Sequence, residues 1–436
     1  MATTISRRDS AVPLGGPAAD EVIACHECGT VHWLPPMPDD TIAQCVLCGA
    51  RILIRFERSI ERTLALYLAA LFLFLVANTL PILSMAIGGQ HNASTILDSA
   101  KALYNDGMWP LAMAVSLAGV VLPLAKILGM LAILVPMQLG LRPRWIVGGF
   151  RWVERLRPWS MMEVYLLGVI VAYVKLQDLA TVHVGIALPA FIGTIILLAA
   201  ADARFEPHAI WRRLAPQAGP EILEPRPGTV LVACEQCDQV VRTDTARLHG
   251  LACPRCDAAL HRRKPDSLNR SWALALTAAL LYIPANVLPV MTVTSFGKGA
   301  PDTIVSGVIE LLHAGMWPIA LLVFFASITV PVLKLIGLTY LLITVHRRST
   351  GRLRDRTRMY RIIEGVGRWS MVDVFMIGIL SALVALGNLA TIAPGPGAIA
   401  FCAVVIITIL AAMAFDPRLM WDVANERNNR RPPLRV

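Results

Sequence analysis

The chain has 436 residues, 56% of them hydrophobic and 16% charged, with a mean hydropathy of +0.60. Soluble domains carry about 25% charged residues, so this deficit excludes a disordered or ordinary water-soluble protein. The 40 basic and 30 acidic residues leave a net +10, but the cations flank hydrophobic runs, where a membrane accounts for them better than nucleic acid does.

Residues 1–20 place Gly, Pro and Asp after Arg7 and Arg8, where a signal peptide would have an apolar stretch. They are expected to form a disordered tail, with the amino end in the cytoplasm. Residues 21–58 hold Cys25-His-Glu-Cys28, sixteen intervening residues, then Cys45-Val-Leu-Cys48. After a linker over 207–229, residues 230–264 hold Cys234-Glu-Gln-Cys237, fifteen residues and Cys253-Pro-Arg-Cys256. Two residues between cysteines let one knuckle aim both thiolates at a single ion, and a returning knuckle completes a tetrahedron. The pattern predicts two zinc ribbons with one ion each; iron–sulfur or rubredoxin-like iron and dithiol redox chemistry are the alternatives. Four thiolates leave no open coordination position, so the zinc is expected to be structural, fixing each ribbon against its own helices. His26, His32, His249 and His261 are read as surface residues and Cys402 as a buried apolar filler. Asp238 and Asp257 stand where Gly29 and Gly49 stand in the first cluster, so the second ribbon is expected to be less regular.

Runs long enough to cross a hydrocarbon core of about 30 Å lie at 62–87, 108–136, 160–179 and 184–202. A second set lies at 270–295, 316–345, 370–390 and 397–415. The sets are copies. Asn78-Thr-Leu-Pro81 matches Asn286-Val-Leu-Pro289, Gly107-Met-Trp-Pro110 matches Gly315-Met-Trp-Pro318, and Pro123-Leu-Ala-Lys126 matches Pro331-Val-Leu-Lys334, always 208 residues apart. Trp159-Ser-Met-Met-Glu163 and Trp369-Ser-Met-Val-Asp373, like Phe205-Glu-Pro207 and Phe415-Asp-Pro417, are 210 apart. The fold class expected is an all-α polytopic membrane protein of eight transmembrane helices. Two tandem four-helix bundles, 59–206 and 265–417, have parallel topology and each follows a ribbon; residues 418–436 form a basic tail.

Arg142, Arg144, Arg151, Arg155 and Arg157, and in the second copy Arg347, Arg348, Arg352, Arg354, Arg356, Arg358, Arg361 and Arg368, fill the loops between second and third spans. The opposite loops hold Lys101 and Lys298. The positive-inside rule then puts both termini, both ribbons and the arginine loops in the cytoplasm. The arginines serve as topology and anionic-lipid signals or as a partner surface.

Within the spans, Asn78 and Asn286 precede prolines expected to bend the helices, and are read either as kink partners or as part of a polar path. Lys126 and Lys334 either snorkel to the cytoplasmic interface or act while buried. Three-residue steps put Lys175, Asp178 and Thr181 on one helix face, where lysine and carboxylate can pair. The second copy has Ala385, Asn388 and Thr391 there, so the pair belongs to one half only, which suggests proton exchange or simply interfacial charges. Glu163 and Asp373 are expected to pair with the arginine loops. No phosphate loop, His-Glu-x-x-His or Gly-x-Ser-x-Gly motif occurs, which argues against an ATPase or enzyme.

Ribbon, four spans, ribbon, four spans, with the Gly-Met-Trp-Pro and Trp-Ser-Met elements, resembles the paraquat-inducible protein A family from about Cys25 to Pro417. The resemblance implies a multi-pass protein of the Gram-negative inner membrane, with a periplasmic MCE-domain protein and phospholipid as its partners. It implies passage of lipid to or from an MCE tunnel without ATP hydrolysis. Two alternatives are a thiol or metal redox membrane enzyme and a non-transporting anchor for a periplasmic partner.

Overall fold

The computed structural model describes residues 3–4, 21–87, 90–141, 143–177, 181–214, 229–244, 250–295, 298–313, 315–384 and 390–429. Seven of its helices are long and apolar enough to cross a membrane: Ser59–Thr79, Trp109–Gln138, Trp145–Leu176, Ala187–Arg204, Trp317–His346, Leu353–Leu383 and Pro396–Ala424. The helix Ser267–Val287 has 21 residues and stands 208 residues after Ser59–Thr79. Its Asn269, Arg270 and Asn286 lower its hydropathy, and it is not among the seven.

The duplication extends to irregular backbone. In both copies the second long helix passes through one π-helical turn, Leu117–Val121 and Phe325–Thr329, just before Pro123 and Pro331. A proline removes an amide donor and crowds the carbonyl four residues back, and a wider turn is one way a helix accommodates it.

The helices are shorter than the hydrophobic runs. The first ends at Thr79 and its counterpart at Val287, so Pro81 and Pro289 terminate helices instead of bending them. The chain then enters strands Leu83–Ile87 and Met291–Ser295. These are the centres of three-stranded antiparallel sheets, flanked by Gln90–Ser94 and Thr181–Val184 in one copy and by Lys298–Asp302 and Ala390–Pro394 in the other. The fold is therefore mostly helical with a small sheet at the end of each copy remote from the arginine loops, and not all-α. The predicted hairpins between third and fourth spans are interrupted by the third strands. Gly185 and Gly395 make this closure possible: a Cβ on them would lie 2.0 Å from the Pro81 carbonyl oxygen and 2.3 Å from that of Pro289. Each glycine amide instead donates across the gap, to Ile82 and Val290, both at 2.8 Å.

The copies meet along their third long helices, Met162–Gln177 and Val372–Leu383. Gly168 lets them approach, since a Cβ there would lie 3.0 Å from that of Phe375. At the sheet end, the Asn92 amide donates to the Ala382 and Leu383 carbonyls, both at 3.1 Å. First-copy Asp106 accepts from second-copy Ser381 at 2.8 Å. The Asn92 bonds satisfy carbonyls that a helix C-terminus leaves without partners.

Candidate metal centres and polar membrane sites

Each ribbon is built on turns that repeat one geometry. The residue after each second cysteine takes a positive φ, +76° at Gly29, +71° at Gly49, +54° at Asp238 and +57° at Asp257, and donates its amide to the carbonyl of the first cysteine at 2.8–3.0 Å. Aspartate is among the few side chains that tolerate this region, so both knuckles of the second ribbon match those of the first. Its departure from regularity lies elsewhere. Where the first ribbon has the strand pair Thr41–Gln44 with Arg51–Arg55, the second has the single bridge between Ala252 and Ala259.

Cys25, Cys28, Cys45 and Cys48 are all buried, as are Cys234, Cys237, Cys253 and Cys256, and within each set the sulfurs lie within 4.8 Å of one another. Cys25 and Cys48 sulfurs are 3.4 Å apart, Cys28 and Cys45 3.4 Å, Cys234 and Cys256 3.4 Å, and Cys237 and Cys253 3.6 Å. Tetrahedral zinc with bonds of about 2.3 Å requires sulfurs about 3.8 Å apart. The donor sets fit one ion each, and among the described residues no histidine joins either set. Cys402 is buried in the bundle and joins neither set.

The ribbons are exchanged between copies. The first packs on the second copy, where its cysteines share an apolar core with Leu338, Leu342, Tyr360, Ile363 and Phe415. The second shares an apolar cluster with Phe150, Val153 and Trp211 of the first copy, while its Glu235, Arg263 and Lys264 also bond to Arg418, Asp422 and Asp416 at the end of the second. Matching arginines hold them: Arg151 donates to the Cys256 carbonyl at 3.0 Å, and Arg361, 210 residues later, to that of Cys48 at 3.2 Å. Arg361 also forks onto Glu27 at 2.6 and 2.5 Å, and Arg354 donates to the Leu47 and Val46 carbonyls at 2.6 and 3.3 Å. Burial alone would push the Glu27 carboxyl up, but hydrogen bonds from His26 and Arg361 outweigh it and hold it below the usual carboxylate range. Part of the arginine excess is therefore ribbon-docking surface, and ribbons and arginine loops occupy the same end of the molecule. The ribbons also meet, through a bridge between Ile23 and Gln239 and a core of Val22, Ala24 and Val240.

Inside the bundles the predicted polar residues separate into groups. Asn78 and Asn286 turn inward on their own helices, each amide donating to the carbonyl four residues back, Phe74 or Tyr282, at 2.8 Å. Thr181 opens a strand and does not continue the helix of Lys175, which ends at Gln177. Asp178 and Asn388 lie outside the described residues. Thr391 pairs with Thr294 across the second sheet, backbone to backbone and hydroxyl to hydroxyl.

Lys126 is buried and does not snorkel. Its ammonium donates to Asp202 at 2.7 Å, and Asp202 also accepts from the Tyr67 hydroxyl at 3.2 Å. Lys334 is buried at the matching position, but Ala412 stands where Asp202 stands, and its contact is the Thr408 hydroxyl at 3.1 Å. Glu163 and Asp373 also diverge, and among the described residues neither forms the expected pair with the arginine loops. Glu163 is exposed. Asp373 is 3% exposed, with neither carboxylate oxygen in a hydrogen bond of normal geometry and the equally unsatisfied Ser327 hydroxyl beside it. It lines a cavity of about 30 Å³ together with Lys175 of the other copy, Asp302 and Thr303, enough for a water molecule. The sequence pairs Lys175 with its near neighbour Asp178; Asp373, 198 residues away, was hidden from a search along one helix.

The family model described as paraquat-inducible protein A matches residues 60–215 and 268–425. The chain is 34% identical over 409 residues to the Intermembrane transport protein PqiA of Escherichia coli strain K12, covering 92% of this chain and 95% of the relative. It is 30% identical over 411 residues to the Lipophilic envelope-spanning tunnel protein A of the same strain, covering 93% and 92%. It is 26% identical over 404 residues to a Probable intermembrane transport protein of Haemophilus influenzae, covering 92% and 96%. No solved structure matches.

Proposed function

The chain belongs to the paraquat-inducible protein A family, and from that premise we propose that it is an inner-membrane component of an intermembrane phospholipid transport system. It passes lipid to or from a periplasmic MCE-domain tunnel without ATP hydrolysis. The transport names of its relatives support this reading, as does the absence of enzyme motifs from the sequence. The observation that carries it furthest is the polar seam between copies, where Lys175 and Asp373 line one cavity within otherwise apolar helices. Ionisable groups at membrane depth are costly and tend to mark transport or proton pathways. Here they sit at the interface of two packed bodies, where a small relative movement changes access to them. That placement supports proton coupling through Lys175 and Asp373, with Asp178 kept as a candidate from the sequence alone.

Each ribbon takes one structural zinc, which supplies rigidity and no open coordination position. Because each ribbon sits on the other copy, the two ions tie the cytoplasmic ends of the bundles together, with both termini on that side. Lys334, Asn78, Asn286, Thr181, Asn388 and Thr391 are read as structural or secondary to this seam, and Lys126 lies apart from it, paired with Asp202.

Extraction of the tagged chain in mild detergent, followed by metal, lipid and protein assays of one sample, tests the reading. About two zinc per chain with bound phospholipid and an MCE-domain partner is expected. Metal-free protein with cycling, alkylatable thiols would replace it with a redox enzyme. A partner without lipid would replace it with an anchor.

A further inference from the structure

We infer that the first copy carries a binding site for a zwitterionic phosphoethanolamine headgroup, in the cavity between Lys126, Arg157, Glu163 and Asp202. The inference rests on the lipid-transport reading above and adds to it a headgroup class and a location. The cavity measures about 270 Å³ and is also lined by Ser160 and Ala199, just under the smallest usual ligand pockets of about 300 Å³. It lies toward the arginine-loop end of the first bundle. Glu163 and Ala199 on its wall are exposed, and Ile192 and Ile196 are exposed on the helix that carries Ala199, so the opening faces the lipid side.

Its four ionisable groups are unequally engaged. Lys126 and Asp202 satisfy each other at 2.7 Å. Arg157 approaches Asp202 and Glu154 only to 3.8 Å, beyond hydrogen-bond reach, and Glu163 makes no ion pair among the described residues. One wall therefore offers a guanidinium with free N–H groups, and another a carboxylate with free lone pairs. Guanidinium forks match phosphate oxygens, and a carboxylate accepts from a primary ammonium. A ligand carrying both charges answers both groups without changing the net charge of the cavity. A purely anionic headgroup would set its charge against Glu163, and a quaternary ammonium has no N–H to give it.

The second copy keeps a lysine and a carboxylate at the matching positions, Lys334 and Asp373, but lacks the other two groups. Gly367 replaces Arg157 and Ala412 replaces Asp202. Lys334 lies so close to Gly367 that a Cβ there would come within 2.5 Å of its ammonium. Side chains that served only to hold the bundle together would be expected in both halves.

The test places the full-length chain in nanodiscs of equimolar phosphatidylethanolamine, phosphatidylcholine and phosphatidylglycerol and counts retained lipids by native mass spectrometry. Phosphatidylethanolamine should be enriched at least fivefold over both others. Glu163→Gln and Arg157→Gln should each abolish the enrichment, Glu163→Asp should retain most of it, and Glu364→Gln, at an exposed carboxylate on the second copy's helix Leu353–Val366, should leave it unchanged. Equal retention of the three lipids, enrichment of phosphatidylglycerol, or wild-type enrichment in Glu163→Gln would overturn the inference. Displacement by soluble glycerophosphoethanolamine at the same concentration would overturn the lipid as ligand and assign a free headgroup. Loss of lipid transfer with enrichment intact would defeat the transport reading alone and leave the site standing.

Discussion

The two membrane copies share one scaffold and differ in where they place charge. Both carry the π-helical turn, the terminating proline, the three-stranded sheet, the close-approach glycine and the docking arginine at matched positions. In the first copy the deep lysine has a carboxylate partner and borders a cavity open to one side. In the second the lysine has a hydroxyl partner and an aspartate is buried at the seam. The shared features are those a backbone needs to fold; the differing ones bear on what the bundle can bind or move. Duplication thus separates scaffold from site within a single sequence.

The largest expected effect falls on the shared part. Structural zinc binding is worth about 10–16 kcal/mol in small peptides, so Cys256→Ser should cut bound zinc from two ions to one and undock its ribbon. Cys48→Ser should do the same to the other, with elemental analysis and limited proteolysis as the readouts. A variant that keeps both ions would break the assignment of four thiolates to each.

Gly185→Ala and Gly395→Ala come next. A methyl group 2.0 or 2.3 Å from a carbonyl oxygen forces the strand away, at about 3 kcal/mol or more. Equal losses of thermal stability in detergent are expected if the copies are equivalent scaffolds, and unequal ones would show that one sheet matters more.

The lysines should separate the copies by sign. Lys126→Met strands Asp202 partly buried, and should destabilise by about 2 kcal/mol. Lys334→Met removes a buried cation that has no carboxylate partner among the described residues, and should be neutral or stabilise by about 1 kcal/mol. Melting temperatures that fall alike in both would contradict the difference drawn between the two sites.

The smallest effect concerns docking. Arg361→Ala loses a forked contact with Glu27 and a bond to the Cys48 carbonyl, about 1–2 kcal/mol after allowance for partial exposure. Arg151→Ala loses one hydrogen bond to a neutral carbonyl, about 1 kcal/mol. Hydrogen exchange confined to the ribbon each arginine holds is the direct check.

The repeat, the cysteine sets and the long helices were legible because each depends on residues near one another in sequence or on a fixed spacing. The sheets were not, because Leu83–Ile87 and Met291–Ser295 continue apolar runs already assigned to helices, and hydrophobicity alone does not show where a helix stops. The prolines marked the place but read as kinks. The exchange of ribbons was equally hidden, since Arg151 and Arg361 look like any topology-setting arginine until their carbonyl partners appear. Lys175 was legible as a membrane-embedded cation, whereas Asp373 looked interfacial and its burial depends on packing between copies. The opposite fates of Lys126 and Lys334 turn on Asp202 and Ala412, which lie outside every matched motif.

Lipid movement between membranes is the property to measure most directly. The chain and the MCE-domain protein proposed as its partner can be reconstituted between donor and acceptor vesicles, and phospholipid transfer measured for the wild type, Lys175→Met and Asp373→Asn. Wild-type transfer that falls at least tenfold in each variant, with two zinc ions and the partner retained, is the predicted result. Transfer at the wild-type rate in both variants, or no transfer by the intact complex, would contradict it.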